Sequence, residues 1–568
     1  MINRSPQIST ASTAPLISDK RNLGPATTFF LVALITLAAA FLRLHGLTAK
    51  SFWLDEGIGI EIVRLNWTQF LHVIWSSEAN MALYYVLLKF WMMMGDSEGF
   101  IRGLSILFSV ATVPLIFSLG KRLFGQRAGL LAALLLGLNA YHIRYAQDAR
   151  SYAMFVFFAV LATWLLIKNL QKPSSAQWEL YGFVCALTAY CHFFGAMLVP
   201  AHVIPLLFWK KDQIPWRKFT RGLLVFGAMT VPIVIFVLKT GYSPISWAPP
   251  MNFNSLLALG VIFSGNDGRL LLALDVVAIG ITLIMARRTS KSDADKSAIR
   301  GYALIFSWLI TPVAMVAACS LFKPMLVPRF LSFCLPALLL LVAAGISKCQ
   351  PAALAWGLCI AITVCSMFGV INYFQYDLEG NRQDWRSLTS YVIDHSRPGD
   401  SIFFFYAAGE APFDYYCSRQ KPGALRPKSL QENWMKAENR LDLPNSISEY
   451  LTTVPETNLR AFQPAGRRVW LVLMSLSGSR QEGDTSTAIA NWLSIGRHRV
   501  DTQVYSPLAV FLYDRTDVGP SATNNRVETD PLSLLMSSRK LPKIHSAGFY
   551  NTIGPLEEAR ATAPHQTR

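Results

Sequence analysis

Two adjacent carboxylates, Asp55 and Glu56, stand in the stretch SFWLDEGIGIE (51–61) among apolar and aromatic residues. A carboxylate that is partly removed from water becomes a useful base near neutral pH, because loss of hydration favours its protonated form. The same pair in an exposed loop would be ordinary solvated charge, and the residue types alone leave both interpretations open. Phe52 to Leu54 before the pair and Gly57 to Ile60 after it favour a site held at a membrane interface.

Arginines further along the chain could bind an anion beside these carboxylates. Arg144 and Arg150 lie in RYAQDARSYA (144–153), and Arg329 lies in VPRFL, each where an apolar segment begins or ends. A guanidinium matches the oxygen geometry of a phosphate, although interfacial anchors and snorkelling loops also use arginine. Carboxylates and arginines together favour a reaction in which a carboxylate activates an external nucleophile while cations stabilise a departing lipid phosphate.

The surroundings of these residues are those of a membrane protein. The chain has 568 residues, of which 52% are hydrophobic and 15% charged, and its mean hydropathy is +0.34. These values lie outside the usual range of soluble proteins. The net charge of +17 is concentrated in short loops between apolar segments, which indicates membrane topology and no nucleic-acid partner. The eight cysteines have no spacing typical of disulfides or of a zinc site.

Long apolar runs predict about eleven transmembrane helices. They are expected at 27–42, 101–120, 128–143, 152–169, 178–194, 196–209, 222–239, 269–286, 301–321, 328–346 and 352–371. The first run could be a signal peptide, because Ala38 to Ala40 resemble a cleavage site, but we favour an uncleaved anchor. With the N-terminus inside, an odd number of helices places both the loop 43–100 and the C-terminal part outside.

The segment Met81 to Gly95 decides this topology. It is apolar but only about fifteen residues long, and it carries Lys89. If the segment crossed the bilayer, every later basic loop would fall outside, against the positive-inside rule. We therefore predict an interfacial or re-entrant helix there. Loop 43–100 then stays on one side and contains Asp55, Glu56 and Glu78.

Four regions are predicted along the chain. They are a cytoplasmic tail at 1–26, a membrane domain at 27–371, a soluble extracytoplasmic α/β domain at 372–514 and a flexible tail at 515–568. In the soluble domain we expect helices at 384–396 and 489–496, strands at 401–406 and 469–475, and an edge strand at 509–513. The final region is polar and rich in Pro, Ser and Thr, which is typical of a flexible tail.

Several motifs, in this order, resemble those of bacterial membrane glycosyltransferases related to protein O-mannosyltransferases and lipid A aminoarabinose transferases. They are LDEG near the first helix, EANMALYYVLLKFW (78–91), the run IRGLSILFSVATVPLIFSLGKRLFGQRAGLLAALLLGLNAYHIRYAQDARSYA (101–153), YCHFFGAML (190–198), VPRFLSFCLPALLLL (327–341) and QDWRSLTSYVIDHSRPGD (383–400). The resemblance spans roughly residues 27–405. It implies the GT-C fold, a multi-helix membrane domain whose first outer loop carries the catalytic acidic motif.

The resemblance also implies an activity. Such a protein would be a hexosyl- or pentosyltransferase of the bacterial inner membrane, surrounded by membrane lipids. It would move a sugar from a polyprenyl-phosphate donor to a lipid, glycan or protein acceptor by a single, inverting displacement. Carried over to this chain, Asp55 is the expected general base, and Glu56 orients it or contacts the acceptor. Arg150, Arg329 and Arg144 are then the expected ligands of the donor phosphate.

One motif departs from the family pattern. Many relatives read His-Pro-Pro-Leu-Tyr before the interfacial helix, where this chain has Asn80 to Tyr84, preceded by Glu78. Glu78 could supply a second carboxylate, or hold a divalent cation such as Mg²⁺ or Mn²⁺ through oxygen ligands. His192, in CHFFG (191–195), could contact sugar or phosphate, but a lone histidine beside aromatic residues is more often a packed interfacial residue.

Two other functions remain open from the sequence. A transporter or lipid flippase should place ionisable residues near the bilayer midplane, and Asp275 is the main residue of that kind. The carboxylate pair, in contrast, lies in a predicted outer loop. An inactive relative whose C-terminal domain serves assembly is the other alternative, which the presence of Asp55 and Glu56 disfavours.

Overall fold

A computed structural model describes residues 23–171, 175–209, 214–241, 245, 248–265, 268–288, 293–377, 383–420, 425–430, 467–474, 489–505 and 507–515. The helices of the membrane domain are α1 (Pro25–Leu44), α2 (Leu54–Arg64), α3 (Trp67–Val73), α4 (Ala82–Trp91), α5 (Glu98–Phe124), α6 (Gln126–Leu138), α7 (Ala140–Ala146), α8 (Tyr152–Gln171), α9 (Ser175–Cys191), α10 (Leu198–Leu207), α11 (Trp216–Thr240), α12 (Phe253–Ser264), α13 (Arg269–Arg288), α14 (Asp293–Ser320), α15 (Leu335–Lys348) and α16 (Ala352–Asn372).

Seven stretches among the described residues are long and apolar enough to cross a membrane. They are α1, α5, α8, α11, Ile299–Ser320, Pro328–Lys348 and Ala352–Gln375, and α12 with α13 would form an eighth, bent by 83°. The predicted count of eleven is therefore not confirmed. The segments predicted at 128–143, 178–194 and 196–209 are helical but fall into shorter helices. In the first of them, Asn139 separates α6 from α7, and its side chain caps α7 by accepting a hydrogen bond from the backbone N–H of His142.

Loop 43–100 folds into α2, α3 and α4, with a π-helical turn at Ile74–Glu78. α4 has ten residues, a length of about 15 Å, whereas the hydrocarbon core of a bilayer is about 30 Å thick. A full crossing by α4 is therefore excluded, as predicted. Lys89 Nζ donates hydrogen bonds to the backbone oxygens of Val63 and Leu65, at 2.8 and 2.6 Å. These bonds tie α4 to the end of α2, so the loop is one packed unit.

The C-terminal domain contains a mixed sheet and, among its described residues, three α-helices. The third helix, at 489–494, confirms the one predicted at 489–496. The domain's other described elements are α17 (Trp385–His395), β1 (Ser401–Phe404), α18 (Glu410–Gln420), β2 (Lys428–Ser429), β3 (Arg468–Met474), β4 (His498–Tyr505) and β5 (Leu508–Asp514). The strand order is β2-β1-β3-β5-β4, with β1 parallel to β2 and β3, and β5 antiparallel to β3 and β4. The predicted strands β1 and β3 and the helix α17 are confirmed.

The expected edge strand at 509–513 lies inside the sheet, so that prediction was wrong. β5 is buried and pairs on one side with β3 and on the other with β4. β4 has the polar sequence HRVDTQVY, and none of its residues is buried. It therefore lacks the apolar pattern by which the other strands were recognised.

The C-terminal domain packs directly on loop 43–100. Two ion pairs join them, Arg386 to Glu98 and Arg419 to Asp96, each at 2.6 Å. The two parts therefore lie on the same side of the membrane domain. Residues 1–22 and 516–568, which make up most of the tails predicted at 1–26 and 515–568, lie outside the described residues.

Candidate active site

The start of α2 presents its two carboxylates in different directions. α2 begins at Leu54, so Asp55 and Glu56 lie in its first turn, where negative charge interacts favourably with the helix dipole. Successive helical residues are rotated by about 100°. As a result, the Glu56 side chain is fully buried, while that of Asp55 is 26% exposed.

Glu56 is held by four hydrogen-bond donors. Its two oxygens accept bonds from Arg102 Nε and Nη2, both at 2.8 Å, and both side chains are fully buried. The backbone N–H groups of Ala149 and Trp53 also donate to it, at 2.8 and 3.3 Å. A fully buried carboxylate that already accepts four hydrogen bonds has no exposed atom that an acceptor could contact. Of the two roles expected for Glu56, this position favours orienting Asp55 over contacting the acceptor.

Asp55 faces two guanidinium groups. Its Oδ2 lies 3.8 Å from Arg150 Nη2 and 4.0 Å from Arg329 Nη2. These distances are longer than the about 2.7–2.9 Å of a charge-assisted hydrogen bond, so an anion could displace the contacts. Arg150 Nη1 donates instead to the backbone oxygen of Asp55 at 3.2 Å and to Tyr85 Oη at 3.0 Å.

Residues that precede Arg150 are bound to loop 43–100. The buried carboxylate of Asp148 forms an ion pair with Lys50 at 2.7 Å, and the backbone of Ala149 is bound by Glu56. Burial acts to raise the pKa of Asp148, but Lys50, Arg144 and Arg102 outweigh it and hold this pKa below its ordinary value. The paired residues fix the chain just before α8 and direct Arg150 toward Asp55.

Of the three predicted phosphate ligands, Arg150 and Arg329 contact Asp55, and Arg144 lies on α7. Burial raises the pKa of Tyr145, and the positive charges of Arg144 and Arg329 oppose that rise. Arg144 therefore contributes to the positive field at the site, where its charge acts on Tyr145 and Asp148.

Glu78 joins the site through Tyr85. Tyr85 Oη donates to Glu78 Oε2 at 3.4 Å and accepts from Arg150 Nη1. Burial raises the pKa of Glu78 to about 7; the negative charge of Asp55 adds to the rise, and Arg150 and Tyr85 oppose it. Glu78 therefore changes charge near neutral pH while linked to the same arginine as Asp55.

The possible Mg²⁺ or Mn²⁺ site at Glu78 stays a prediction. No group of three or more His, Cys, Asp or Glu side chains that could hold a metal occurs in the part of the chain that the structure describes. Arg150 also acts on both Asp55 and Glu78, and its positive charge opposes binding of a cation between them.

His192, for which the sequence favoured a packed residue over a contact with sugar or phosphate, is buried beside the arginines. Its Nδ1 accepts a hydrogen bond from the backbone N–H of Phe194 at 3.3 Å, so in the neutral ring the proton is assigned to Nε2. Nε2 is buried and has no hydrogen-bond partner among the described residues. Burial, together with the positive charges of Arg329 and Arg150, lowers the pKa of His192 to about 3. His192 is thus a neutral donor next to two cations. The signal for it in the sequence was its place at the outer end of a predicted helix.

Known proteins give two kinds of match. The family model described as dolichyl-phosphate-mannose-protein mannosyltransferase matches residues 80–238. The crystal structure of ArnT from Cupriavidus metallidurans in the apo state aligns with a TM-score of 0.53 at 13% identity, covering 86% of this chain and 98% of ArnT. The chain therefore has the fold of the GT-C membrane glycosyltransferases. The structure of the same ArnT bound to undecaprenyl phosphate aligns with a TM-score of 0.52 at 12% identity, covering 88% of this chain and all of ArnT (100%).

The GT-C fold predicted from the motifs is therefore confirmed, as a multi-pass membrane domain followed by a small sheet domain. No curated protein sequence matches the chain significantly. The matched family segment, 80–238, includes Arg150 and His192. Asp55, Glu56 and Arg329 lie outside it, so their roles depend on the geometry described above.

Proposed function

We propose that this GT-C protein transfers a hexose or pentose from a polyprenyl-phosphate donor to the hydroxyl group of an extracytoplasmic acceptor. The observation that carries the proposal is the arrangement of one partly exposed carboxylate, Asp55, within 4.0 Å of two arginines, Arg150 and Arg329. A carboxylate can take the proton of an attacking hydroxyl, and arginines can bind a phosphate. The ArnT structure with bound undecaprenyl phosphate supports a polyprenyl carrier.

The reaction would be a single displacement at the anomeric carbon. Asp55 accepts the proton of the acceptor hydroxyl, whose oxygen forms the new bond to that carbon. The bond between the anomeric carbon and the phosphate oxygen breaks, and its electron pair remains on the polyprenyl phosphate. Attack from the face opposite the leaving group inverts the configuration. No covalent intermediate is required, because one base and one site for the phosphate are sufficient.

The arginines and His192 would stabilise the leaving phosphate. Arg150 and Arg329 approach Asp55 only loosely, at 3.8 and 4.0 Å, so their guanidinium groups can turn to phosphate oxygens when the donor binds. His192 would add a neutral N–H donor whose positive charge has been suppressed by burial. Groups held in place before the reaction stabilise developing charge with little reorganisation.

The basic ends of the helices support the proposed orientation. α5 starts with Glu98 beside the site, and Lys121 and Arg122 lie near its other end, about 35 Å away at about 1.5 Å per residue. Arg122 also donates a hydrogen bond to Gln171, at the end of α8 remote from Arg150. By the positive-inside rule this end faces the cytoplasm. Asp55 and the C-terminal domain would then face outward from the bacterial inner membrane.

The test is transfer of label from a panel of radiolabelled polyprenyl-phosphate hexoses and pentoses by membranes containing the protein, with cell extract as the source of acceptors. Wild type should transfer label from at least one donor. Asp55→Asn should lower kcat about 100- to 10,000-fold, the usual contribution of a general base. Glu61→Gln is a matched control, because Glu61 lies on the same helix and pairs with Arg64 at 3.2 Å.

Equal protein abundance in the membranes is required for each comparison. Full transfer by Asp55→Asn would remove Asp55 from the chemistry. Absence of transfer from every donor by wild type would contradict the proposed reaction itself.

A further inference from the structure

The residues that lead into α2 are bound by the C-terminal domain. The backbone N–H of Phe52 donates to Tyr416 Oη at 2.7 Å, and that of Leu54 donates to Gln383 Oε1 at 2.7 Å. Ser51 Oγ donates to the backbone oxygen of Gln383, also at 2.7 Å. The first N–H groups of a helix have no acceptor within the helix. Gln383 therefore caps α2 from another domain, at the residue immediately before Asp55.

A close contact with α18 also fixes α2, at Gly57. A Cβ atom added at Gly57 would lie 2.7 Å from Cδ of Pro412 in α18. Helices α2 and α18 thus approach too closely for any side chain at this position. The Phe52 ring is held in a similar way, because it meets the Tyr415 ring edge-on at 4.8 Å and the Arg102 guanidinium lies 4.8 Å from its centroid.

We propose that the C-terminal domain positions Asp55, with Tyr416 and Gln383 as positioning residues that fix the start of α2. The inference rests on the proposed function, in which Asp55 is the base. The N–H groups of residues 52 and 54 donate hydrogen bonds to this domain. The backbone oxygen of residue 51 accepts one from Arg102 of α5, and the N–H of residue 53 donates one to Glu56 of α2 itself. Asp55 follows directly on this four-residue stretch, so a shift of the stretch moves the carboxylate relative to Arg150 and Arg329. A misplacement of about 1 Å can reduce a rate about 100-fold.

The first test compares two neighbouring tyrosines. Tyr416→Phe removes only the hydroxyl that accepts from Phe52. Tyr415→Phe is the matched control, because the Tyr415 hydroxyl donates to the backbone oxygen of Asp96 at 3.0 Å, away from the start of α2. We expect Tyr416→Phe to lower kcat about 10-fold or more with the KM for the donor within about twofold of wild type, on the scale of such misplacements. Tyr415→Phe should keep both constants.

A second pair of variants provides rescue by a conservative change. Gln383→Leu removes the acceptor for the Leu54 N–H and should lower kcat as Tyr416→Phe does. Gln383→Glu keeps an oxygen at that position and should restore most of kcat. Rates are compared per folded protein, measured as the monodisperse fraction after purification. Should one variant fail to fold, the other pair provides the same comparison.

The results distinguish a positioning role from a purely structural one, and failure of this inference from failure of the proposed function. Lower kcat at constant KM in both Tyr416→Phe and Gln383→Leu supports the positioning role. Wild-type kcat in both variants, or reduced abundance with unchanged kcat, overturns it and leaves the interface purely structural. Asp55→Asn is measured in parallel: if it is inactive while Tyr416→Phe and Gln383→Leu behave as wild type, only the positioning inference fails. If Asp55→Asn is active, the proposed function fails.

Discussion

Replacement of Glu56 by glutamine should destabilise the protein, whereas replacement of Asp55 by asparagine should inactivate it. The two residues are adjacent and chemically alike, but the structure assigns them different surroundings. Glu56 and Arg102 are fully buried and share two hydrogen bonds at 2.8 Å. Asp55 is 26% exposed and approaches its arginines only to 3.8 and 4.0 Å.

The expected magnitudes follow from this difference. Loss of one partner from a buried ion pair costs about 3–5 kcal/mol, because the other charge remains buried. Glutamine keeps one acceptor oxygen, so we expect about 3 kcal/mol for Glu56→Gln, or about a 100-fold shift toward the unfolded state. The contacts of Asp55 with its arginines are longer, at 3.8 and 4.0 Å, and its side chain is partly exposed. Asp55→Asn should therefore lose less free energy of unfolding than Glu56→Gln.

The assay is equilibrium unfolding in mixed micelles with increasing SDS, followed by tryptophan fluorescence, together with transfer activity per folded protein. The double variant Glu56→Gln/Arg102→Met should lose less free energy of unfolding than the sum of the single variants, since it leaves no lone buried charge. Wild-type stability of Glu56→Gln combined with a loss of kcat as large as that of Asp55→Asn would refute the reasoning. It would mean that Glu56 takes part in the chemistry.

Three further predictions concern the surroundings of Asp55. Because the pKa of Glu78 lies at about 7, a rise in pH should ionise it and let it compete with the donor phosphate for Arg150. The KM for the donor should then rise several-fold between pH 6 and pH 8 in wild type but stay constant in Glu78→Gln. Equal pH profiles of the two proteins would contradict this prediction. His192→Phe keeps the packed ring but removes the Nε2 donor, so kcat/KM should fall about 10- to 100-fold, the value of a hydrogen bond to a charged group; unchanged kcat/KM would exclude contact with the phosphate. Gly57→Ala should lower kcat, because its Cβ would lie 2.7 Å from Pro412 and α2 would have to move. Gly227→Ala, with open space around its Cβ, should keep the wild-type kcat. Equal kcat values in the two variants would show that the reaction tolerates a displacement of α2.

The sequence was sufficient to predict the membrane domain and to select the carboxylate pair as candidate site residues. Apolar runs have a period and a length that depend only on local residue types, so segments such as 152–169 and 352–371 were found as helices α8 and α16. The stretch LDEG identified Asp55 and Glu56 before any geometry was known. The number of crossings could not be obtained in this way. Breaks such as the one at Asn139 depend on a side chain capping the next helix, and they interrupt a run that remains apolar throughout.

The polar strand β4 illustrates a second limit. Its residues alternate little in polarity, and its place in the sheet comes from pairing with β5. Pairing between strands is a property of the folded chain, because the two strands supply each other's backbone hydrogen bonds. A strand with a polar, exposed sequence is therefore visible only once its neighbour is known.

Only the tertiary structure distinguished the two carboxylates and connected distant residues to them. Arg102 is 46 residues from Glu56, Arg150 is 95 residues from Asp55, and Tyr416 is 364 residues from Phe52. The sequence shows which residues can carry charge or donate a hydrogen bond. It does not show which of them will be buried together, and burial decides whether a carboxylate is locked in an ion pair or left available for reaction. For this protein, composition and local pattern determined the membrane domain and the reactive residue types, and long-range packing determined their roles.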